Sequence, residues 1–207
     1  MIIKSTQRLL IALFVVFPFF ALAQQGNWQE GEHYTVIKDA ASSDKRIREV
    51  FSYWCPACNS FESIVKELKT KLPADVTFVK AHVNFMGSAS EDAQNDATKA
   101  MLAAKAIKQD ALFNEALFNA IHSERKNIAS LDDMVKVFTA AGGDGEKLKK
   151  MAGSFGIRSQ VSKNNKLTQG VSRVPTFIVN DKYQAIYTRD TTPDQFIDLL
   201  LWLTKQK

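Results

Sequence analysis

Apolar and polar positions fall in blocks along this chain, and the blocks predict a mixed α/β fold. Ile47 to Trp54 is rich in β-branched and aromatic residues and reads as a buried central strand, with one carboxylate, Glu49, inside it. From Pro56 the period becomes helical. Phe61, Ile64, Val65, Leu68 and Leu72 share one face, and Pro73 stops the helix. Val76 to Val83 reads as the next strand, which closes a βαβ unit with a right-handed crossover. A shorter strand is expected over His33 to Ile37, behind a polar lead-in from Gln24 to Glu32.

Between Gly87 and Gly170 the chain is rich in Ala, Lys, Asp and Glu and carries several helical patterns. Leu112, Phe113, Ala116, Leu117, Ala120 and Ile121 make one apolar face. Ser130-Leu131-Asp132-Asp133 reads as a capping box opening a helix through Met134, Val135 and Phe138, which Gly142-Gly143 ends. So long a stretch is not a bare loop in a compact domain, so an inserted helical subdomain is expected. The strand pattern resumes with Thr176 to Val179 and Lys182 to Tyr187 around Asn180-Asp181, a two-residue hairpin turn. Thr192-Pro193-Asp194-Gln195 then caps a last helix whose buried face is Phe196, Leu199, Leu200 and Leu203. The expected order is β, β-α-β, helical insertion, β-β-α.

Composition adds a compartment. Lys4 and Arg8 precede a nearly unbroken apolar run from Leu9 to Phe20, and Ala21-Leu22-Ala23 offers small residues for cleavage. Met1 to Ala23 therefore reads as a secretory signal, with the mature chain starting at Gln24. As a membrane anchor the run is short, and Pro18 interrupts it. Removing Lys4 and Arg8 takes the formal net charge from +5 to +3. The lysines are scattered; Lys147, Lys149 and Lys150 cluster beside Glu146 as a solvated helix face, not a nucleic-acid stripe.

The candidate chemistry lies in Ser52-Tyr53-Trp54-Cys55-Pro56-Ala57-Cys58, where the strand pattern gives way to the helix. An exported protein folds where thiols oxidise, so two cysteines this close are expected as a disulfide or cycling through one. A purely structural staple is a weaker reading, because so short a loop constrains little unfolded-chain entropy. Cys55 would be the N-cap and Pro56 the first helical residue. There, unpaired backbone N–H groups and the helix dipole favour the Cys55 thiolate, while Cys58 lies one turn inside and more shielded. Such an unequal pair suits thiol–disulfide exchange. A zinc site would need two further ligands, with only His33, His82 and His122 as histidine donors, each alone in sequence. Arg173-Val174-Pro175-Thr176 reads from spacing alone as an X-Pro entering an edge strand. With a cis bond it would instead offer backbone groups to an extended substrate peptide.

Three segments together resemble the DsbA family of periplasmic thiol:disulfide oxidoreductases: Glu49 through Cys58, Lys80 through Gly87, and Gly170 through Pro175. The resemblance spans essentially the whole mature chain in order and spacing. It implies a thioredoxin fold with an inserted all-helical subdomain, residues 24–87 and 171–207 forming the thioredoxin part and 88–170 the insertion. It further implies that Cys55 is the nucleophile, Cys58 its partner and Val174-Pro175 a cis-proline pair facing them and binding substrate. Glu49 and Lys80 match the family's buried acid and neighbouring base, expected to tune Cys55 and assist proton transfer; a strand-edge ion pair without that role is the plainer reading. Ala57 departs from the family, which typically has His there to stabilise the thiolate. A weaker oxidant is expected.

The function expected is oxidation of exported proteins by a monomer without cofactor, the pair being reoxidised by an inner-membrane DsbB-type quinone oxidoreductase. An isomerase or reductase is the nearest alternative. The periplasmic isomerases carry a separate N-terminal dimerisation domain, for which Gln24 to the first strand leaves no room, and Val174 stands where they typically have Thr. A peptide-binding chaperone with incidental cysteines is the alternative from another class.

Overall fold

The computed structural model describes residues 27–206. The expected signal, Met1 to Ala23, lies outside those residues. Five strands form one mixed sheet: β1 (Tyr34–Val36), β2 (Arg46–Phe51), β3 (Thr77–His82), β4 (Thr176–Val179) and β5 (Tyr183–Ala185), in the spatial order β1-β5-β4-β2-β3. β2 pairs parallel with β3 and antiparallel with β4, so the strand that leads into the cysteines is central. Helix α1 (Pro56–Lys71) makes the crossover between β2 and β3. It packs with the last helix, α7 (Pro193–Leu203), on one face of the sheet. Ile64, Val65 and Leu68 there meet Ile47, Phe177, Val179, Phe196 and Leu200.

The insertion between β3 and β4 is helical throughout: α2 (Glu91–Ala106), α3 (Asp110–Phe118), α4 (Leu131–Ala140), α5 (Gly145–Ala152) and α6 (Phe155–Thr168). Its core is Phe113, Leu117, Phe118, Met134, Phe138, Leu148 and Ile157 around an alanine-lined face of α2. Small side chains there let neighbouring helices approach closely, so the large residues of α3 to α6 fill the space. α6 then returns beneath the sheet, where Leu167 packs against Val50, Ala81 and Val83.

Local chemistry sets the boundaries. Asn180 and Asp181 both adopt positive φ, 51° and 54°, as a tight turn between β4 and β5 demands. Thr192 and Gln195 form the capping box that opens α7. Ser130 caps α4 as expected, but the Asp133 carboxylate accepts from the Ala129 N–H and the Ser130 hydroxyl and not from the Ser130 N–H that a capping box would use. β1 and β3 are each one residue shorter at both ends than expected, and three further elements end well short. The central strand ends at Phe51 rather than Trp54, since Tyr53 and Trp54 leave the sheet and bury in the insertion's core. The apolar face expected from Leu112 to Ile121 breaks after Phe118 into a π-helical turn, Asn119–Ser123. β5 stops at Ala185, short of Tyr187.

Candidate active site

The sheet delivers Cys55 to the N-terminus of α1. β2 ends at Phe51, the chain turns with the Cys55 N–H donating to Ser52 O at 3.1 Å, and Pro56 opens the helix without an N–H to satisfy. Cys55 is the N-cap, and its sulfur accepts from the Cys58 N–H at 3.1 Å. Cys58 is one turn along, and both cysteines are free thiols. The expected contrast in shielding is narrow: Cys55 is 3 % exposed and Cys58 0 %. Val174 packs against the cysteine cluster, and its carbonyl oxygen stands 3.6 Å from Cys55 Sγ. The Val174–Pro175 peptide bond is cis.

The two thiols differ in acidity. The Cys58 thiol donating to Cys55 sulfur, helped by the Cys58 and Ala57 backbone N–H groups, outweighs burial and the nearby Glu49 and lowers the Cys55 pKa from 9.0 to about 7. The same hydrogen bond, with burial, raises that of Cys58. Alkylation of the dithiol form by iodoacetamide is therefore expected to reach half its limiting rate near pH 7 and to modify Cys55 alone. A midpoint near 9, or labelling of Cys58, contradicts that assignment. The two thiols contribute to stability with opposite signs: the raised Cys58 pKa stabilises the dithiol form below pH 9.0 and that contribution is lost as pH rises further, and Cys55 does the reverse. A folded pKa below the unfolded one stabilises the dithiol form fully above pH 9.0, and that contribution is lost as pH falls through about 7.

Behind the pair lies a buried charge cluster. Glu49 on β2 is directly opposite Lys80 on β3, with Oε2 3.0 Å from Nζ. Lys80 also pairs with Glu62 of α1, which Asn114 of α3 contacts. Burial raises the Glu49 pKa and Lys80 only partly offsets this. Burial opposes the Lys80 charge, but Glu49 and Glu62 prevail, and its pKa is raised. The ammonium also lies 4.2 Å from the Phe51 ring centroid and 5.7 Å from that of Phe118.

Several residues of the site carry no sequence signal of their own. Glu62 belongs to the polar spacing of α1 and shows its role only once β3 is laid beside it. Two of the three histidines hold the turn before Cys55. The Tyr53 N–H donates to His82 Nε2 at 3.3 Å, and His122 Nε2 lies 2.7 Å from Tyr53 O. His82 is fully buried, and burial with Lys80 nearby lowers its pKa to about 3, so the neutral ring accepts at Nε2 and its Nδ1 meets Thr98 Oγ1 at 3.0 Å. His33 instead stacks edge-on with Trp28, far along the chain from both. Among the described residues no group of three or more His, Cys, Asp or Glu is placed to hold a metal ion. A second buried cation, Arg48, pairs with Asp181 at 3.0 Å and donates to Leu167 O, tying β2 to the hairpin turn and to α6.

Comparison with known proteins agrees with the fold. The DSBA-like thioredoxin domain family matches residues 46–196. Thiol:disulfide interchange protein DsbA of Escherichia coli K12 is 31% identical over 204 residues, covering 93% of this chain and 95% of that protein. The Pseudomonas aeruginosa protein of the same name is 29% identical, covering 96% and 95%. A crystal structure of P. aeruginosa DsbA superposes with a TM-score of 0.74 over 86% of this chain and 94% of that one. The Klebsiella pneumoniae DsbA structure gives 0.74 over 87% and 99%, at 26% identity. A chaperone with incidental cysteines is set aside by this kinship, because the relatives are thiol:disulfide interchange proteins. The chain belongs to the DsbA family of thioredoxin-fold proteins and is a protein disulfide oxidoreductase.

Proposed function

We propose that the protein oxidises exported proteins in the periplasm, after removal of Met1 to Ala23, by donating a Cys55–Cys58 disulfide. The observation that carries this reading is the split between the thiols: Cys55 stabilised as a thiolate at a helix N-terminus, Cys58 held protonated behind it. A substrate thiolate attacks Cys55 Sγ; the Cys55–Cys58 bond breaks and Cys58 leaves, taking a proton. A second substrate thiolate attacks the substrate sulfur of the mixed disulfide, and Cys55 departs as a thiolate. Two substrate thiols become one disulfide, and the enzyme ends as the dithiol. Val174 and Pro175 bind the substrate backbone, the Val174 carbonyl beside Cys55 serving as an acceptor. Glu49, with its raised pKa and Lys80 beside it, assists the proton transfer at Cys58. An inner-membrane DsbB-type quinone oxidoreductase restores the disulfide, and the enzyme works as a monomer.

Ala57 sets the strength. It is exposed at the first turn of α1 and contributes only a backbone N–H to the Cys55 sulfur. Ala57→His adds a donor and a partial charge there. The variant's alkylation midpoint is expected to fall by about one pH unit, and its equilibrium with glutathione to move about tenfold toward the dithiol. The same titration of the unaltered protein tests the function. A disulfide less stable than that of glutathione fits an oxidase; one much more stable makes the protein a reductase.

A further inference from the structure

Thiol exchange leaves one large concave feature unused. A groove of about 1010 Å³ follows the free edge of β3 between α1 and α6, with Phe78, Val79 and Lys80 lining it. β3 is one of the two edge strands of the sheet, and the register shows which of its peptide groups face outward. Thr77 N–H donates to Lys45 O and Val83 N–H to Phe51 O, both at 3.0 Å, so alternate residues Thr77, Val79, Ala81 and Val83 bond toward β2. His82 has the opposite phase. Its N–H and C=O both meet the side-chain amide of Asn164, at 3.0 and 2.8 Å. Asn164 thus ends the edge as a one-residue strand would. Phe78 and Lys80 share the phase of His82, and among the described residues no side chain caps their outward peptide groups.

The walls are basic. Lys66 and Lys69 of α1, Lys105 of α2 and Lys163 of α6 line the groove, and among the described residues none of them has a carboxylate at ion-pair distance. Lys69 Nζ lies 5.0 Å above the Phe78 ring, directly over the edge. Glu62 is engaged by Lys80 and Asn114, which leaves Asp110 and Glu115 as the opposing charges.

We propose that this edge docks an extended acidic peptide segment of a partner protein. The segment adds as a further strand beside Phe78 and Lys80, its carboxylates turned to the lysines. The site goes beyond disulfide exchange and does not involve the cysteines, so it stands or falls separately from the oxidase reading. Lysines along an edge also deter unwanted pairing, which is the contrary explanation of the same residues.

Amide hydrogen exchange by NMR separates the two. The probe is an acetylated, amidated hexapeptide of alternating glutamate and valine, added to the full folded protein. Exchange at Phe78 and Lys80 is expected to slow about tenfold, as newly bonded edge amides do. A lysine–valine peptide, and the glutamate peptide N-methylated at alternate residues, are expected to leave it unchanged. Lys69→Glu combined with Lys163→Glu is expected to remove the protection, with the inward amides of Val79 and Ala81 reporting that the sheet is intact. Four results overturn the proposal. Absence of slowing makes the lysines edge protection, and equal slowing by the lysine peptide means that the edge does not select an acidic segment. Equal slowing by the N-methylated peptide excludes strand addition. Protection that grows with protein concentration alone assigns the edge to a second copy of this chain.

Discussion

Cys55→Ser is expected to reduce oxidation of a dithiol peptide to the uncatalysed background, whereas Cys58→Ser, given oxidised glutathione, accumulates a stable mixed disulfide as Cys55 attacks it and one glutathione thiolate leaves. The asymmetry follows from the two sulfur environments. Without Cys55, the hydrogen bond that does most to raise the Cys58 pKa is lost, but the remaining thiol is 0 % exposed and burial still opposes its thiolate, so it is out of reach of a substrate sulfur. Without Cys58, the helix N-terminus and the backbone N–H groups of residues 57 and 58 still face Cys55, and the serine hydroxyl replaces the lost S–H donor. Cys55 therefore stays reactive, but the group that closes the ring is gone. Mass spectrometry of the products under non-reducing conditions distinguishes the two variants. Retention of more than about a tenth of the normal rate by Cys55→Ser would sink the assignment of the nucleophile, since removal of a true nucleophile costs orders of magnitude.

Much of the architecture is local enough to be read along the chain. The helical period after Pro56, the Asn180-Asp181 turn and the Thr192 capping box each depend on residues within a few positions of one another, and the structure has all three. The N-cap position of Cys55 is likewise a short-range property of a strand followed by Cys-Pro. What escaped depends on residues distant in sequence. Tyr53 and Trp54 have strand-like composition, yet they serve the insertion's core, which begins some forty residues later. Phe118 falls off the apolar face traced from Leu112 to Ile121, but the π-helical turn after it places the ring against Phe51 and Tyr53. Glu62, Arg48 and the two histidines around Tyr53 are polar residues whose partners arrive from β3, the hairpin turn and the helical insertion. Periodicity marks them only as interruptions. The pairing of Glu49 with Lys80 was accessible through family resemblance, and the parallel register supplies its physical basis.

Lys80→Met is expected to lower the stability of the dithiol form by about 3 kcal/mol at neutral pH, because removing one member of a buried ion pair leaves the other uncompensated. Packing is not the cause. The lysine stem already lies against Phe51 and Phe118, and methionine fills similar space. The loss falls on Glu49, which is 0 % exposed and, among the described residues, has no hydrogen-bond donor aligned with either oxygen. Glu62 is about a quarter exposed and keeps Asn114, so it suffers less. The remedy open to Glu49 is to take up a proton, and this gives the variant a distinctive pH dependence. Its folded pKa, already raised by burial, rises further once Lys80 is gone. Stability from a raised pKa is present in full below the unfolded value and is lost as pH climbs through the folded one. The deficit of Lys80→Met should therefore be larger at pH 8 than at pH 5. Glu49→Gln, which leaves Lys80 paired with Glu62, should lose less than Lys80→Met at pH 8. A double replacement of Glu49 and Lys80 by methionine should recover much of the deficit, since well-packed apolar groups substitute for a buried pair at little cost. Urea unfolding of the three variants at both pH values decides the matter. An equal deficit for Lys80→Met at pH 5 and pH 8 would mean that Glu49 is not the group left stranded, and the cluster would then act through Glu62.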